Sequence, residues 1–131
     1  MSNTTILVVD EHTDVCELLT RRLDSLLGFD VVAHTTSPLV AAELAHQWQP
    51  DIIVADLNKS GAFAAQAYRW LKKMSPESQL VILTSSLRTG DEELFLKAGA
   101  AKCLFKDTPV KDLAHELQEV ASARIKEDGH V

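Results

Sequence analysis

Short, continuously apolar runs alternate along this chain with longer stretches whose apolar residues recur every three or four positions. Ile6-Leu7-Val8-Val9 is rich in β-branched residues and ends at Asp10-Glu11, which predicts a strand buried on both faces. Thr13 is a candidate N-cap for a first helix bearing Val15, Leu18, Leu19, Leu23 and Leu26, with Arg21-Arg22 at its favourable C-terminal end and Gly28 as its stop. A second strand follows over Asp30–His34. Ser37-Pro38 then opens a helix with Val40, Ala41, Leu44, Ala45 and Trp48 on one face. Pro50 precedes a third strand, Asp51–Ala55, that ends at Asp56, and Asn58-Lys59-Ser60-Gly61 makes a loop. The next helix spans Ala62–Met74, with Phe63, Ala67, Trp70, Leu71 and Met74 as its apolar face, and Ser75-Pro76 breaks it. Gln79–Leu83 is a fourth strand leading into Thr84, and Asp91–Ala98 a short helix closed by Gly99. Ala101–Phe105 is a fifth strand ending at Lys106, and Thr108-Pro109 starts the last helix on Leu113, Leu117 and Val120.

Strands that alternate with helices imply parallel crossovers, hence a single-domain, doubly wound α/β sheet covered on both faces. The chain of 131 residues suits one domain. The expected division is residues 1–125 as that domain and 126–131 as a polar tail that frays. No apolar run approaches the ~20 residues of a membrane span. Met1–Thr5 carries no basic segment of the signal-peptide kind, so a cytoplasmic location is expected. Cys16 and Cys103 are too few for a disulfide framework. A formal net charge of -6 argues against direct nucleic-acid binding, which calls for a clustered basic face.

In an open parallel sheet, ligands bind beyond the carboxyl ends of the strands. Those ends carry Asp10 and Glu11, Asp56, Thr84 and Lys106. Carboxylates gathered at one edge repel one another, and a divalent cation resolves the repulsion. Mg²⁺ takes oxygen ligands of this kind. With metal and ammonium neutralising the phosphoryl oxygens, one carboxylate can act as a nucleophile toward phosphorus. Taken singly, Asp10, Glu11 and Asp56 also suit strand-end caps or turns. Together with Thr84 and Lys106 they form a set.

The order Val8-Val9-Asp10-Glu11-His12, Pro50 to Leu57, Leu83-Thr84-Ser85, and Gly99-Ala100 followed by Lys106 resembles the receiver domain of bacterial two-component response regulators. The resemblance runs from about Thr5 to about Val120. It implies a flavodoxin-like sheet of order 2-1-3-4-5 with five helices. It implies that Asp56 accepts a phosphoryl group from a histidine kinase or phosphotransfer protein. Asp10 and Glu11 would hold Mg²⁺, with Asp56 and the backbone carbonyl of Asn58 completing the protein ligands. Lys106 would contact the acyl phosphate and Thr84 would be the switch hydroxyl. The output face would be the fourth helix, fifth strand and fifth helix, about Asp91 to Val120. That face would serve a downstream protein, a fused output domain or a phosphorylation-linked homodimer of an otherwise monomeric chain. Such a protein is not an enzyme, because the group stays on its own aspartate.

Some positions depart from the family pattern. Glu11 replaces the commoner Asp, Ser60 the usual Pro, and Ala64 the usual Gly. Cys103 stands where receivers carry Tyr or Phe, and a thiol cannot report a shift of Thr84 by the same steric means. Phe105 has the wrong strand parity to substitute. Asp107 after Lys106, with His12 and Pro109, is similar to receivers joined to helix-turn-helix DNA-binding domains of the LuxR/NarL type.

Other residues read as structural. His12 and Cys16 lie one helical turn apart, but two ligands do not make a zinc site. His34, His46, His115 and His130 show no partner pattern and read as surface residues. Cys16 reads as partly buried off the leucine stripe, Cys103 as core, Trp48 and Trp70 as packing, and Lys72-Lys73 as a solvated helix end. Two competing functions remain open. One is a phosphorylation-independent interaction module, motivated by Cys103, Ser60 and Ala64. The other is an enzyme or flavin carrier, opposed by the absence of glycine from the turn Asp10 to Asp14.

Overall fold

The computed structural model describes residues 3–57, 59 and 61–128, the stretch 124–128 by its backbone alone. In chain order the elements are β1 (Thr4–Asp10), α1 (Thr13–Asp24), β2 (Phe29–Thr35), α2 (Pro38–Trp48), β3 (Ile52–Asp56) and α3 (Gly61–Met74). They continue with β4 (Gln79–Thr84), α4 (Asp91–Lys97), β5 (Ala100–Phe105) and α5 (Val110–Asp128). The sheet has the order β2-β1-β3-β4-β5 and every pair is parallel. This is the expected doubly wound arrangement.

The side-chain period of two divides the strands between two layers. Leu7, Val9, Ile53, Ala55, Leu80 and Ile82 meet α2, α3 and α4 in one cluster. Ile6, Val8, Ile52, Val54, Val81 and Leu83 meet α1 and α5 in the other. Leu113, Leu117 and Val120 are buried in that second layer, as the last helix's pattern predicts. A polar lock sets the register of β1 on β3. The Thr5 N–H donates to Asp51 Oδ2 at 2.9 Å, and the Asp51 N–H donates back to Thr5 Oγ1 at 2.9 Å. From there the pairing runs Ile6↔Ile52 up to Asp10↔Asp56.

Several expectations need correction. Thr13 is not the cap of α1; His12 is, without a side-chain cap bond. The His12 N–H is instead taken by Asp10 Oδ1 at 2.9 Å. β2 begins at Phe29 because that ring is buried at the sheet's edge. The backbone of α5 runs through the expected boundary at residue 125 to Asp128. Cys16 is 2% exposed and sits within the α1 layer, while Leu18 points outward at 52%. Cys16 and Cys103 pack into opposite layers, so the sheet separates them and no disulfide can form. Lys72 is tethered rather than solvated, its Nζ donating to the Pro76 and Ser78 carbonyls at 2.9 and 2.8 Å. His34, His46 and His115 are exposed, as expected, and His130 lies outside the described residues.

The largest correction concerns α3. Its sheet-facing side is Ala64, Ala65, Tyr68 and Leu71, not the stripe through Phe63 and Trp70. Neighbouring helical positions differ by about 100°. The sheet therefore selects the alanines, which let the helix approach closely, and Tyr68, which fills the remaining space. Phe63 is 78% and Trp70 49% exposed, and Trp48 on α2 is 48% exposed.

Gly99 turns the chain from α4 into β5 with φ +117°, and an added Cβ would lie 2.8 Å from Lys72 Cγ. Gly99→Ala is expected to lower stability by about 1–3 kcal/mol through left-handed strain, with displacement of the tethered Lys72 adding to it. The check is a lower urea midpoint at unchanged slope.

Candidate functional site

The register that begins at the Thr5–Asp51 lock ends by placing Asp10 beside Asp56 on one face of the sheet. β5 lies two strands from β3 and three from β1, yet it delivers the counter-charge. The Lys106 backbone N–H donates to the Thr84 carbonyl at 2.9 Å, holding the end of β5 against β4. From there the Lys106 ammonium reaches across the strand ends and donates to Asp10 Oδ2 and Asp56 Oδ2, each at 2.6 Å. The Asp10 side chain is 0% exposed, Asp56 16% and Lys106 18%. Burial pulls the Lys106 pKa down, but the hydrogen bonds and charges of Asp10 and Asp56 outweigh it, so the net shift is upward.

Asp56 and Lys106 open onto a cavity of about 560 Å³, also lined by Thr84, Ser85 and Arg88. Thr84 is buried, and its hydroxyl donates to the Ser86 carbonyl at 3.1 Å. The structure thus brings Asp10, Asp56, Lys106 and Thr84 to one edge, as expected. Glu11 does not join them. It lines the neighbouring groove between α2 and α3, and its Oε1 is buried without a hydrogen-bond partner among the described residues. Asn58 and Ser60 lie outside the described residues.

Among the described residues, no three His, Cys, Asp or Glu side chains converge closely enough to hold a metal ion. The donor set nevertheless fits Mg²⁺. Asp10 and Asp56 are hard oxygen donors fixed in adjacent register, and the orphaned Glu11 oxygen lacks the partner that a buried carboxylate requires. His12 and Cys16 make no metal pair. His12 Nδ1 lies 3.5 Å from Asp10 Oδ1, and the Cys16 thiol donates to the Thr35 carbonyl at 3.7 Å.

Two residues shape the cavity without having been singled out for it in the sequence. Asp91 is 5% exposed. Its Oδ1 accepts the Gly61 N–H at 3.0 Å and its Oδ2 the Arg88 N–H at 3.2 Å, tying the starts of α3 and α4 together. Tyr68 accepts the Leu57 N–H on its hydroxyl at 3.0 Å and meets Phe95 edge-on, the ring centroids 5.0 Å apart. Burial, with smaller help from the Asp56 charge, raises the Tyr68 pKa. Both residues look ordinary in sequence, an aspartate at a helix start and an aromatic among alanines. Only the contacts across the chain mark them. Cys103 packs against the same cluster as Tyr68 and Phe95. Burial, then the charge of Glu92, pushes its thiol up to about 11, which leaves it protonated and unreactive at neutral pH. The expected difference in parity does not hold: Phe105 stands two positions after Cys103 and so shares its side of β5, but as the last residue of the strand it is 46% exposed.

Comparison with known proteins bears on the family and the fold. The family model for the response regulator receiver domain matches residues 6–118. A nitrate/nitrite response regulator protein homolog from Haemophilus influenzae is 28% identical over 124 residues, covering 92% of this chain and 58% of the relative. Response regulator GacA from Pseudomonas aeruginosa is 26% identical, covering 88% of this chain and 54% of that protein. The chain thus spans a little over half the length of such relatives. A two-component response regulator of the LuxR family from Aurantimonas sp. SI85-9A1 superposes with a TM-score of 0.82 at 25% identity, covering 94% of this chain and 88% of that one. The receiver domain of NarL from Mycobacterium tuberculosis shares the fold with a TM-score of 0.82 at 20% identity, covering 93% and 98%. With a family model matched over residues 6–118 and NarL/LuxR-type regulators among its relatives, this chain belongs to the response regulator receiver domain family, whose function is signalling by phosphorylation.

Proposed function

We propose that Asp56 is the phospho-acceptor of this receiver. The observation that carries the proposal is the Lys106 ammonium shared at 2.6 Å between Asp56 and the buried Asp10. An Asp56 carboxylate oxygen attacks the phosphorus of a donor phosphohistidine. The phosphorus–nitrogen bond breaks, the imidazole nitrogen leaves with the electron pair and takes up a proton, and an acyl phosphate remains on Asp56. Lys106 is already seated beside Asp56, so it can follow the new phosphoryl oxygens without crossing the site. Mg²⁺ held by Asp10, Glu11, Asp56 and the Asn58 carbonyl would neutralise the oxygens of the transferring group. Glu11 must then leave the α2–α3 groove, and its orphaned oxygen makes that departure inexpensive.

Thr84 serves as the switch hydroxyl. To reach a phosphoryl oxygen it gives up its bond to Ser86, a loss of about 1 kcal/mol that a charge-assisted bond outweighs. The acyl phosphate stays on the chain's own aspartate, so the chain turns over no external substrate. The partners are a histidine kinase or phosphotransfer protein and, through α4, β5 and α5, an output protein or a fused output domain such as a LuxR-type DNA-binding domain. The cytoplasm is the setting such partners imply, and no helix among the described residues is long and apolar enough to cross a membrane.

Incubation with acetyl phosphate and Mg²⁺ is expected to add one phosphoryl group, seen in the intact mass, and excess EDTA to prevent it. A chain that stays unmodified with Mg²⁺ present would sink the proposal. The phosphorylation-independent alternative rests on Cys103, which supplies no ring for Thr84 to move. Equal affinity of an output partner for the phosphorylated and unmodified chains would favour that alternative.

A further inference from the structure

We propose that the groove between α2 and α3 is a docking site for an acidic amphipathic helix of a partner protein. The groove has a volume of about 590 Å³. Its apolar walls are Leu39, Phe63 and Trp70, which are 79%, 78% and 49% exposed. Large apolar side chains left this open cost solvation, and three lining one groove mark a contact surface rather than scattered exposure. Phe63 and Trp70 stand seven positions apart on α3 with Ala67 between them. That spacing offers about 10 Å of apolar track, two helical turns, which matches i, i+3/i+4, i+7 anchors on a docked helix.

Charge names the occupant. The whole chain has a formal net charge of -6, yet Lys59, Arg69 and Lys73 line this groove against the one carboxylate of Glu11. The Lys73 ammonium sits 5.9 Å from the Trp70 ring centroid, where it is held beside the apolar track. An apolar stripe flanked by acids meets both features, whereas a basic helix meets only the first. The groove borders the Asp56 cavity, sharing Leu57 and Lys59 with it, but its apolar walls Leu39, Phe63 and Trp70 lie outside that cavity and off α4, β5 and α5, so binding there is tested without phosphorylation.

The test uses the full chain and two labelled model helices of about four turns, both with the same leucine stripe. One is flanked by Glu and the other by Lys. Fluorescence anisotropy is expected to show the Glu helix binding about tenfold or more tighter than the Lys helix. Phe63→Ala/Trp70→Ala is expected to weaken the Glu helix by a similar factor. Lys59→Glu/Arg69→Glu/Lys73→Glu, which leaves the apolar walls intact, is expected to invert the preference. Equal binding of the two helices, or Glu-helix binding untouched by Phe63→Ala/Trp70→Ala, overturns the proposal. So does a concentration-dependent dimer in sedimentation that Phe63→Ala/Trp70→Ala abolishes, since the occupant would then be a second copy of this chain.

Discussion

Asp56→Asn is expected to take up no phosphoryl group from acetyl phosphate and Mg²⁺ while remaining as stable as the unmodified chain or more so. Asparagine preserves the shape of the side chain and keeps an oxygen that can accept from Lys106, which now bonds Asp56 Oδ2 at 2.6 Å. Its amide is no nucleophile toward phosphorus, so the acyl phosphate cannot form. The substitution also removes one of two negative charges that β1 and β3 press together in adjacent register. Chemistry and folding therefore part company at this residue. Intact-mass analysis reads the first and urea unfolding the second. A phosphoryl adduct on Asp56→Asn would remove Asp56 from the acceptor role. A large loss of stability would show that the site is built for structure.

Lys106→Met is expected to do the reverse and cost stability, about 3 kcal/mol at neutral pH. That is the low end for stripping one partner from a buried ion pair, because the cavity beside Asp56 admits water. The loss falls on Asp10, 0% exposed, whose Oδ2 loses the ammonium while its Oδ1 keeps the His12 N–H at 2.9 Å. Lys106→Met/Asp10→Asn is expected to recover much of the loss, since the uncompensated charge is then gone. The alkaline limb supplies an independent check. The Lys106 pKa is raised in the folded chain above the ordinary 10.5. Its contribution is therefore complete below pH 10.5 and is lost as pH rises through the folded value. Unfolding free energy should fall in that alkaline range more steeply in the unmodified chain than in Lys106→Met. Parallel pH curves for the two would show that the ammonium contributes no stability.

Much of this was legible from spacing alone. β1, β3 and β4 are buried on both faces, so their sequences are unbroken apolar runs, and a polar residue at the end of such a run must lie at the sheet's edge. This is why Asp10, Asp56 and Thr84 could be assigned to one edge beforehand, and Lys106 joined them as the polar end of a fifth strand in the same α/β alternation. The helices were less legible. On α3, Phe63, Ala67 and Trp70 make as good a stripe as Ala64, Tyr68 and Leu71, and periodicity cannot choose between two apolar faces. On α1, a small thiol inside and a leucine outside reversed the usual order of burial.

The sequence by itself determined the α/β alternation, the polar residues at the strand ends and so the chemistry available to the chain. These follow from local periodicity, which each segment carries on its own. Only the tertiary structure decided that one ammonium would serve both Asp10 and Asp56, that Glu11 would lie in the groove, that Asp91 and Tyr68 would frame the cavity, and that the aromatic face of α3 would be left to solvent. Those outcomes depend on register and on contacts between residues distant in the chain, and no local pattern encodes them.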